Sequence, residues 1–390
     1  MSYRFSQRTG WDVGESGFAA AIREAQASGR RLVDLTVSNP TVCGFEYDAE
    51  AILAPLAGAG ALTYDPDPRG MRSAREAVVG YYSDHGADVD PDAVVLTTST
   101  SEGYGYLFRL LCDAGDEVLV AQPSYPLFDF LADLEDVRLR TYPLFYDHGW
   151  WIDFAELERR IGPRTKAIVV VHPNNPTGHA TGSRERQRLD EICVRHGLAL
   201  IVDEVFLDYP LGAERLVSFG VGPHPVLMFC LSGMSKIAGL PQMKVGWIVG
   251  LGPDGERLQA MGRLEVIADT FLSMNAPVQG ALPVWLAGRK GVQGQILQRV
   301  LRNLGAAQRS GVEVLEVEAG WSAILRLPQV GEGDAAEMLL REVGVVVHPG
   351  SFYGIAETGR VVVSLLGPQE EFQEGLERIL HGGLLNHSSY

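Results

Sequence analysis

The sequence predicts an α/β protein whose large, mostly parallel sheet is covered by helices on both faces, together with a smaller α+β domain. Short, almost continuously apolar strands alternate with helices between residues 94 and 287, as in a sheet buried on both sides. From about residue 295 the strands alternate apolar and polar residues, as antiparallel strands do. Because chain ends often meet, we expect a large domain at 46–290 and a small domain at 1–45 and 291–390.

The predicted elements of the first two-thirds follow in order. An amphipathic helix at 16–28 closes at Gly29, a strand at 32–41 runs into a turn, and a helix covers 70–84. The apolar strands of the sheet are predicted at 94–98, 117–121, 167–171, 198–203 and 226–231. Helices are predicted at 102–112, 125–134, 183–196 and about 256–287.

The last third predicts the small domain. A long helix reaches about residue 310, and residues 312–328 alternate like an exposed antiparallel strand. The remaining predicted elements are a helix at 333–343, strands at 345–348 and 360–366, and a helix at 368–380.

Composition narrows the classes of function. The 390 residues are 46% hydrophobic and 21% charged, as in folded globular proteins, and the net charge is −16. Such an acidic surface disfavours nucleic acids and anionic membranes as partners. Four scattered cysteines argue against disulfides and a metal site, and we expect no metal. No signal peptide or membrane-spanning run is visible, so a cytoplasmic location is expected.

Lysine is rare in this chain. It occurs only at Lys166, Lys236, Lys244 and Lys290, whereas the other 29 basic residues are arginines. Only lysine of the two gives a neutral amine at accessible pH, so each lysine is a candidate for amine chemistry. For any single lysine, however, random change in composition is the simpler explanation of its presence.

Polar residues follow successive predicted strands, where ligands of open α/β sheets bind. Ser99, Thr100 and Ser101 begin a helix after the first strand and form a cup suited to a phosphate, or an ordinary helix cap. The later strand ends carry an aromatic ring at Tyr125 and a turn with an amide at 172–178. The next two carry a buried carboxylate at Asp203 and an amine at Lys236. Together these groups match pyridoxal 5'-phosphate, which has a phosphate, a flat ring, a ring nitrogen and an aldehyde.

The chain resembles the fold-type I pyridoxal-phosphate enzymes, in the class I/II aminotransferase family. The resemblance covers nearly the whole length. The matching stretches are Tyr64–Gly70 with Arg72 and Arg75, Ser99–Glu102, Pro123–Tyr125, Asn174–Gly178, Asp203–Glu204, Ser232–Lys236 and Gly246–Trp247.

The resemblance implies a role for each matching residue. Lys236 would form a Schiff base with the cofactor and move the substrate proton, Asp203 would pair with the ring nitrogen, and Tyr125 would stack on the ring. Asn175 would bond the phenolic oxygen and contact substrate. Hydroxyls and amides of Ser99, Thr100, Ser101 and either Ser232 or Ser235 would hold the phosphate. Tyr64 would reach the phosphate of a neighbouring subunit, which implies a homodimer.

Two residues expected at the cofactor depart from the family pattern. Phe206 replaces a tyrosine and cannot donate a hydrogen bond to the phenolic oxygen. Lys244 replaces an arginine at the phosphate, which removes the bidentate fork but keeps a charge. Alternatively, Lys244 acts as a proton relay beside the cofactor, although pairing with the phosphate is the simpler role.

The residue that would hold the substrate carboxylate departs as well. The expected arginine position in the late strand is Val362, whereas Arg360 lies two residues earlier on the same strand face. Three explanations are open: Arg360 binds the carboxylate from a shifted position, the substrate lacks a conventional α-carboxylate, or another arginine reaches the site. Alternatively, Arg360 has no role in the site and is a solvated charge at the start of the strand. Asn39 is a candidate lid residue and His348 a candidate substrate contact.

The expected function is therefore transfer of an amino group between an amino acid and a 2-oxo acid. Because a fold does not fix a function, the alternative is another pyridoxal-phosphate reaction on the same scaffold: a C–S β-lyase, a decarboxylase or an oxidase. A non-catalytic pyridoxal-binding protein is a third reading, against which the intact Lys236 and Asp203 argue.

Overall fold

A computed structural model of the chain describes residues 4–272, 274–327 and 335–381. The parts of the predicted domains and elements at 1–3, 273, 328–334 and 382–390 lie outside the described residues. The helices are α1 Gly17–Ala27, α2 Ala49–Leu53, α3 Arg72–Asp84, α4 Thr100–Leu111, α5 Phe128–Leu134, α6 Phe154–Arg159, α7 Ser183–His196, α8 Met234–Ile237, α9 Asp254–Thr270, α10 Ala276–Gly288, α11 Lys290–Ser310, α12 Ala335–Val343 and α13 Gln369–His381. The strands are β1 Val33–Asp34, β2 Val94–Thr97, β3 Glu117–Gln122, β4 Arg138–Tyr146, β5 Trp150–Ile152, β6 Thr165–Val171, β7 Ala199–Asp203, β8 Met228–Gly233, β9 Gly246–Leu251, β10 Glu313–Val314, β11 Ser322–Arg326, β12 Val345–Val346, β13 His348–Pro349 and β14 Arg360–Ser364.

The large sheet has eight strands in the order β2-β9-β8-β7-β6-β3-β4-β5. The pairs from β8 to β4 are parallel, and β9 and β5 run antiparallel to their neighbours. This confirms the predicted mostly parallel sheet.

Both faces of this sheet are buried, because successive side chains of each strand point to opposite faces. In β6, Val169 packs with α4, α5 and α9 on one face, while Ile168 packs with α3, α7 and α10 on the other. The near-continuous apolar strands of the sequence thus serve two separate cores.

The small domain is built around a four-stranded antiparallel sheet in the order β10-β11-β14-β13. A second, two-stranded sheet pairs β1 with β12 in parallel, so residues near the amino end contact residues near 345. Leu35, Val361 and Phe372 share one apolar core there.

Three differences from the predicted elements have local causes. The helix predicted at 256–287 is two helices, because Leu272 adopts a left-handed φ of 63° and the Asn275 side chain caps α10. The strand predicted at 312–328 is the two strands β10 and β11, and β4, β5 and β9 were not predicted. In β4 the buried and exposed side chains follow no clean alternation, and two glycines interrupt β9.

The described residues include neither a membrane-spanning helix nor a cluster of metal ligands. None of their helices has the length and apolar character needed to cross a membrane. Among the same residues, no three His, Cys, Asp or Glu side chains gather as they would around a metal ion.

Candidate active site

The cavity that holds most of the predicted site residues lies between the large sheet and the small one, and its volume is about 460 Å³. Residues that follow β2, β3, β6, β7 and β8 line one side, and residues of β11, β13 and β14 line the other. A larger cavity of about 920 Å³, beside α7 and residues 210–217, contains none of the predicted site residues. The chemistry-bearing groups therefore converge on the smaller cavity.

Eleven of the predicted residues line this cavity: His348 of the small domain, and ten residues at the strand ends of the large sheet and the segments that follow them. The ten are Ser99, Thr100, Ser101, Tyr125, Asn175, Asp203, Phe206, Ser235, Lys236 and Lys244.

Lys236 lies on α8, the short helix that follows β8. Its backbone carbonyl accepts a hydrogen bond of 2.6 Å from the Tyr209 hydroxyl. Its Nζ is 4.8 Å from the centre of the Trp321 ring and 5.6 Å from that of Phe206. Burial lowers the pKa of the Lys236 amine to about 8, although the Asp203 carboxylate opposes this change. An amine with such a pKa is partly neutral near physiological pH and therefore nucleophilic.

Asp203 ends β7 and is only 7% exposed. Its Oδ2 accepts a hydrogen bond of 3.1 Å from the Tyr104 hydroxyl, and its Oδ1 accepts one of 3.1 Å from the Val205 N–H. Burial raises the pKa of Asp203 to about 6, and these two donors and Lys236 act in the opposite direction. A buried carboxylate of this kind is stabilised by a cation.

Glu204, the next residue, faces away from the cavity. Its carboxylate accepts hydrogen bonds from the Ser218 hydroxyl at 2.9 Å and the Phe219 N–H at 2.6 Å. Burial raises its pKa to about 7. This carboxylate holds the loop near residue 218.

The amino end of α4 forms the predicted cup. Ser99 caps the helix by accepting a hydrogen bond of 3.1 Å from the Glu102 N–H, and the first N–H groups of a helix have no partner within it. Gly246 in β9 lies against this end, since a Cβ there would be 2.9 Å from the Ser99 carbonyl carbon and 3.0 Å from the Thr100 nitrogen. The exposed Lys244, two residues before Gly246, adds a positive charge.

Aromatic rings and one amide form the middle of the cavity. Phe206 and Trp321 meet edge to face, with ring centres 5.0 Å apart. Tyr125 stands at the mouth and is 44% exposed. The Asn175 Oδ1 accepts a 3.4 Å hydrogen bond from Ser322, so its amide N–H groups remain available to a ligand.

Four predicted residues do not reach the cavity. Ser232 is fully buried and its Oγ is 3.4 Å from the Glu204 carbonyl, so Ser235 is the hydroxyl that lines the cavity. The Asn39 side chain accepts hydrogen bonds from Thr41 instead. Arg360 begins β14 opposite Arg326, outside the lining.

Tyr64 is the fourth of these residues. It is 77% exposed and does not line the cavity of its own chain. Its predicted contact with a neighbouring subunit stays a prediction.

Sequence reasoning missed Tyr104 and Trp321 and gave no role to Ser322, Tyr353 or Ser364, all of which line the cavity. Tyr104 belongs to a run of six buried residues on α4, but its sequence carries no signal that links it to Asp203. Trp321 approaches from the small domain, and no pattern in the sequence links it to Lys236.

These residues fit pyridoxal phosphate. The close approach of Gly246 to the helix end leaves a concave surface with free donors and a nearby cation, which suits a phosphate. The carboxylate of Asp203 and the amine of Lys236 line the same cavity, as groups serving one flat ring must.

Comparisons with known proteins agree with this geometry. The family model described as aminotransferase class I and II matches residues 32–379. An alanine aminotransferase of Mycobacterium tuberculosis is 29% identical over 82% of this chain and 76% of its own length. A glutamate-pyruvate aminotransferase of Haemophilus influenzae is 27% identical over 70% of this chain and 68% of its own.

Solved structures show the same fold. An alanine aminotransferase from Pyrococcus furiosus superposes with a TM-score of 0.87 and 23% identity, covering 96% of this chain and 98% of that one. The match of the family model to most of the chain means that the protein belongs to the class I and II aminotransferases, which depend on pyridoxal phosphate.

Proposed function

We propose that this aminotransferase uses Lys236 as the residue that binds the cofactor and moves the substrate proton, and Asp203 as the partner of the cofactor ring. The observation that carries the proposal is the convergence of these two side chains, from the ends of β8 and β7, on one cavity. When bound, pyridoxal phosphate supplies an aldehyde that condenses with amines and a ring that accepts electrons.

Lys236 is suited to proton transfer by its surroundings. The Phe206 and Trp321 rings and the rest of its shell keep its pKa near 8, through burial opposed by Asp203. A base whose pKa lies close to the working pH takes up and returns a proton efficiently. The bond from Tyr209 to the Lys236 carbonyl fixes the backbone from which the amine extends.

Asp203 would hold a proton on the cofactor ring nitrogen. Its two hydrogen-bond donors, Tyr104 and Val205, fix the carboxylate and favour its charged form. The cup at Ser99–Ser101, with Ser235 and Lys244, would bind the phosphate, and Asn175 would orient the phenolic oxygen and the substrate. Tyr125 would cover the ring from the cavity mouth.

The curated relatives carry names for alanine and glutamate-pyruvate aminotransferases, and we propose that one substrate pair of this chain is likewise a small amino acid and its 2-oxo acid. We further propose that residues 46–290 form a large domain and that residues 1–45 and 291–390 form a small one. We also propose a homodimer in which Tyr64 reaches the neighbouring site. The four free cysteines support a cytoplasmic location, which we propose as well.

The test of this proposal is Lys236→Ala, with Lys290→Ala as the control because Lys290 is exposed at the start of α11. Lys236→Ala should abolish amino transfer from alanine to a 2-oxo acid and shift the visible absorbance of the bound cofactor, whereas the control keeps both. Steady turnover by the wild type that releases ammonia without an oxo acceptor would contradict aminotransfer.

A further inference from the structure

The side of the cavity formed by β14 carries no positive charge. Val362 is 1% exposed, lines the cavity, and lies opposite Ile324 of β11 and His348 of β13. Ser364 lines the cavity two residues further along the same strand. An aliphatic group and a hydroxyl therefore stand where a ligand meets the small sheet.

The cations of the chain can all be located, because every lysine and arginine lies within the described ranges. Of these, only Lys236 and Lys244 line the cavity. The proposed function requires Lys236 for the cofactor. Lys244 lies two residues from Gly246, which touches the helix end that forms the phosphate cup. Neither amine is left for a second anion at β14.

His348 does not replace these cations. Its Nδ1 is 3.0 Å from the Tyr353 hydroxyl. Burial lowers the pKa of His348 below its ordinary value, while Asp34 opposes this, so the ring is neutral at neutral pH.

Arg360 is not among the residues that line the cavity either. It pairs with Arg326 in the register of β11 and β14, and its Cβ lies 3.2 Å from the place of a Cβ on Gly350. The neighbouring Arg326 is held by Glu313 at 2.9 Å.

Uncharged hydrogen-bonding groups occupy this side of the cavity instead. The Ser322 hydroxyl bonds the Asn175 Oδ1 at 3.4 Å, which leaves the Asn175 amide N–H to donate. Ser364 and the His348–Tyr353 pair add further neutral donors and acceptors. A carboxylate placed here would lose its hydration without gaining a cation, whereas a neutral carbonyl or hydroxyl would find partners.

We propose that one of the two substrates bears an uncharged group, such as an amide, an ester or a hydroxymethyl, where an amino acid bears its carboxylate. The inference rests on the proposed function, because it takes Lys236 as the amine at the cofactor. In the overall reaction the donor substrate, not Lys236, loses its amino group and the hydrogen on the same carbon, and that carbon gains an oxygen to become a carbonyl. The 2-oxo acid gives up its oxo oxygen, gains the amino group and the hydrogen, and becomes an amino acid.

The test measures binding without turnover, so that it stands apart from the activity assay. The probes are 2-methylalanine, its primary amide and the matching amino alcohol, which have no hydrogen on the reacting carbon and cannot be deprotonated there. Dissociation constants for the holoenzyme are read from the change in cofactor absorbance. We expect the amide and the alcohol to bind at least as tightly as the acid.

Two variants sharpen the result. Val362→Arg should tighten binding of the acid by about tenfold or more and leave the amide unchanged, since a guanidinium pairs with a carboxylate. Arg360→Gln should leave the ratio of acid to amide as in the wild type. The wild-type ratio decides the question even where Val362→Arg does not fold.

A wild-type preference for the acid of about tenfold or more would overturn the inference, whether Arg360 or a second copy supplies the cation. Loss of that preference in Arg360→Gln would identify Arg360 as its source. Normal amino transfer alongside such a preference would leave the proposed function intact, so the two failures are distinguishable.

Discussion

At the scale of single residues, Tyr104 is the group whose contribution to the site is most sharply defined. Its hydroxyl is one of two donors to the buried Asp203 carboxylate, and its ring meets Phe128 edge to face at 5.0 Å. Because Tyr104 acts through the Asp203 carboxylate to which it donates, we regard it as a positioning residue rather than a catalytic one.

Tyr104→Phe should lower kcat by about tenfold with little change in KM, because a buried hydrogen bond to a charged group contributes roughly 1.5–3 kcal/mol. The loss of this donor also raises the pKa of Asp203, which should move the acid limb of the pH–rate profile to higher pH. The measurement is kcat and KM as functions of pH.

Tyr106→Phe is the matched control, since Tyr106 lies on the same helix but contacts Phe271 and Glu102 instead of the cavity. An unshifted acid limb in Tyr104→Phe would contradict a role in fixing Asp203. If both substitutions changed kcat equally, the cause would be a general loss of stability of α4 and not the lost hydrogen bond to Asp203.

The pKa of Lys236 predicts how the apoenzyme takes up its cofactor. Because burial lowers this pKa from 10.5 to about 8, the neutral amine rises from roughly a tenth at pH 7 to roughly nine-tenths at pH 9. The rate of association with pyridoxal phosphate should rise over this range and then level off. Stopped-flow absorbance measures it, and a rate still climbing tenfold per unit at pH 10 would contradict the prediction.

Residue patterns predicted the groups that follow strands, and not those that approach from elsewhere. Lys236, Asp203 and Ser99 could be assigned to the cavity because each stands at the end of a strand that the sequence marks clearly, or within three residues of that end. Tyr104 and Trp321 could not, because only the packing of α4 and of the small domain brings them to the cavity. Arg360 was a reasonable candidate from strand alternation alone, which does not say how far its side chain reaches.

At the scale of elements, the contact between β9 and the amino end of α4 shapes the phosphate cup. Gly246→Ala should weaken cofactor binding by about tenfold and cost about 1–3 kcal/mol of stability, since its Cβ would meet the Ser99 and Thr100 backbone at 2.9–3.0 Å. Equilibrium dialysis and chemical unfolding measure the two effects. Gly262→Ala, in α9 with nothing within 4 Å, is the control.

An unchanged cofactor affinity in Gly246→Ala would mean that the helix end is not the phosphate site. A loss of stability without a loss of affinity would lead to the same conclusion.

Elements with strong signals at both ends were predicted well. The helix predicted at 183–196 is α7 with the same bounds. Gly197 adopts the left-handed conformation that ends the helix, and at its start the Glu185 carboxylate accepts a hydrogen bond from the Gly182 N–H. The break between α9 and α10 escaped prediction because Leu272, which turns the chain there, has no intrinsic preference for a left-handed φ. β9 escaped because Gly246 and Gly250 weaken its strand pattern and because one of its pairing partners, β2, is distant in sequence.

At the scale of the whole molecule, several large apolar side chains near the amino end are left uncovered within one chain. Leu62 is 95% exposed, and Val42, Leu53 and Tyr64 are also well exposed. Exposed apolar side chains that lie together are typical of a surface buried by association, and we expect these four to share such a surface. A second copy covering this face would bring Tyr64 toward the neighbouring cavity, as the proposed homodimer requires.

Leu62→Asp should therefore shift the protein from dimer toward monomer in sedimentation velocity and weaken cofactor binding, because a charge in an apolar interface is costly. Tyr64→Phe keeps the ring and removes only the hydroxyl, so it should weaken cofactor binding while the protein stays dimeric. A Leu62→Asp protein that sediments as the wild type would count against this face as the interface.

The pairing of β1 with β12 has a consequence for how the protein is made. Val33 pairs with Val345, so the first strand emerges from the ribosome roughly 300 residues before its partner. At about 5–20 residues per second this delay is on the order of 15–60 s. The large sheet is complete well before then, and the nascent chain must keep the apolar side of Leu35 and its neighbours shielded, a natural point of contact for a chaperone.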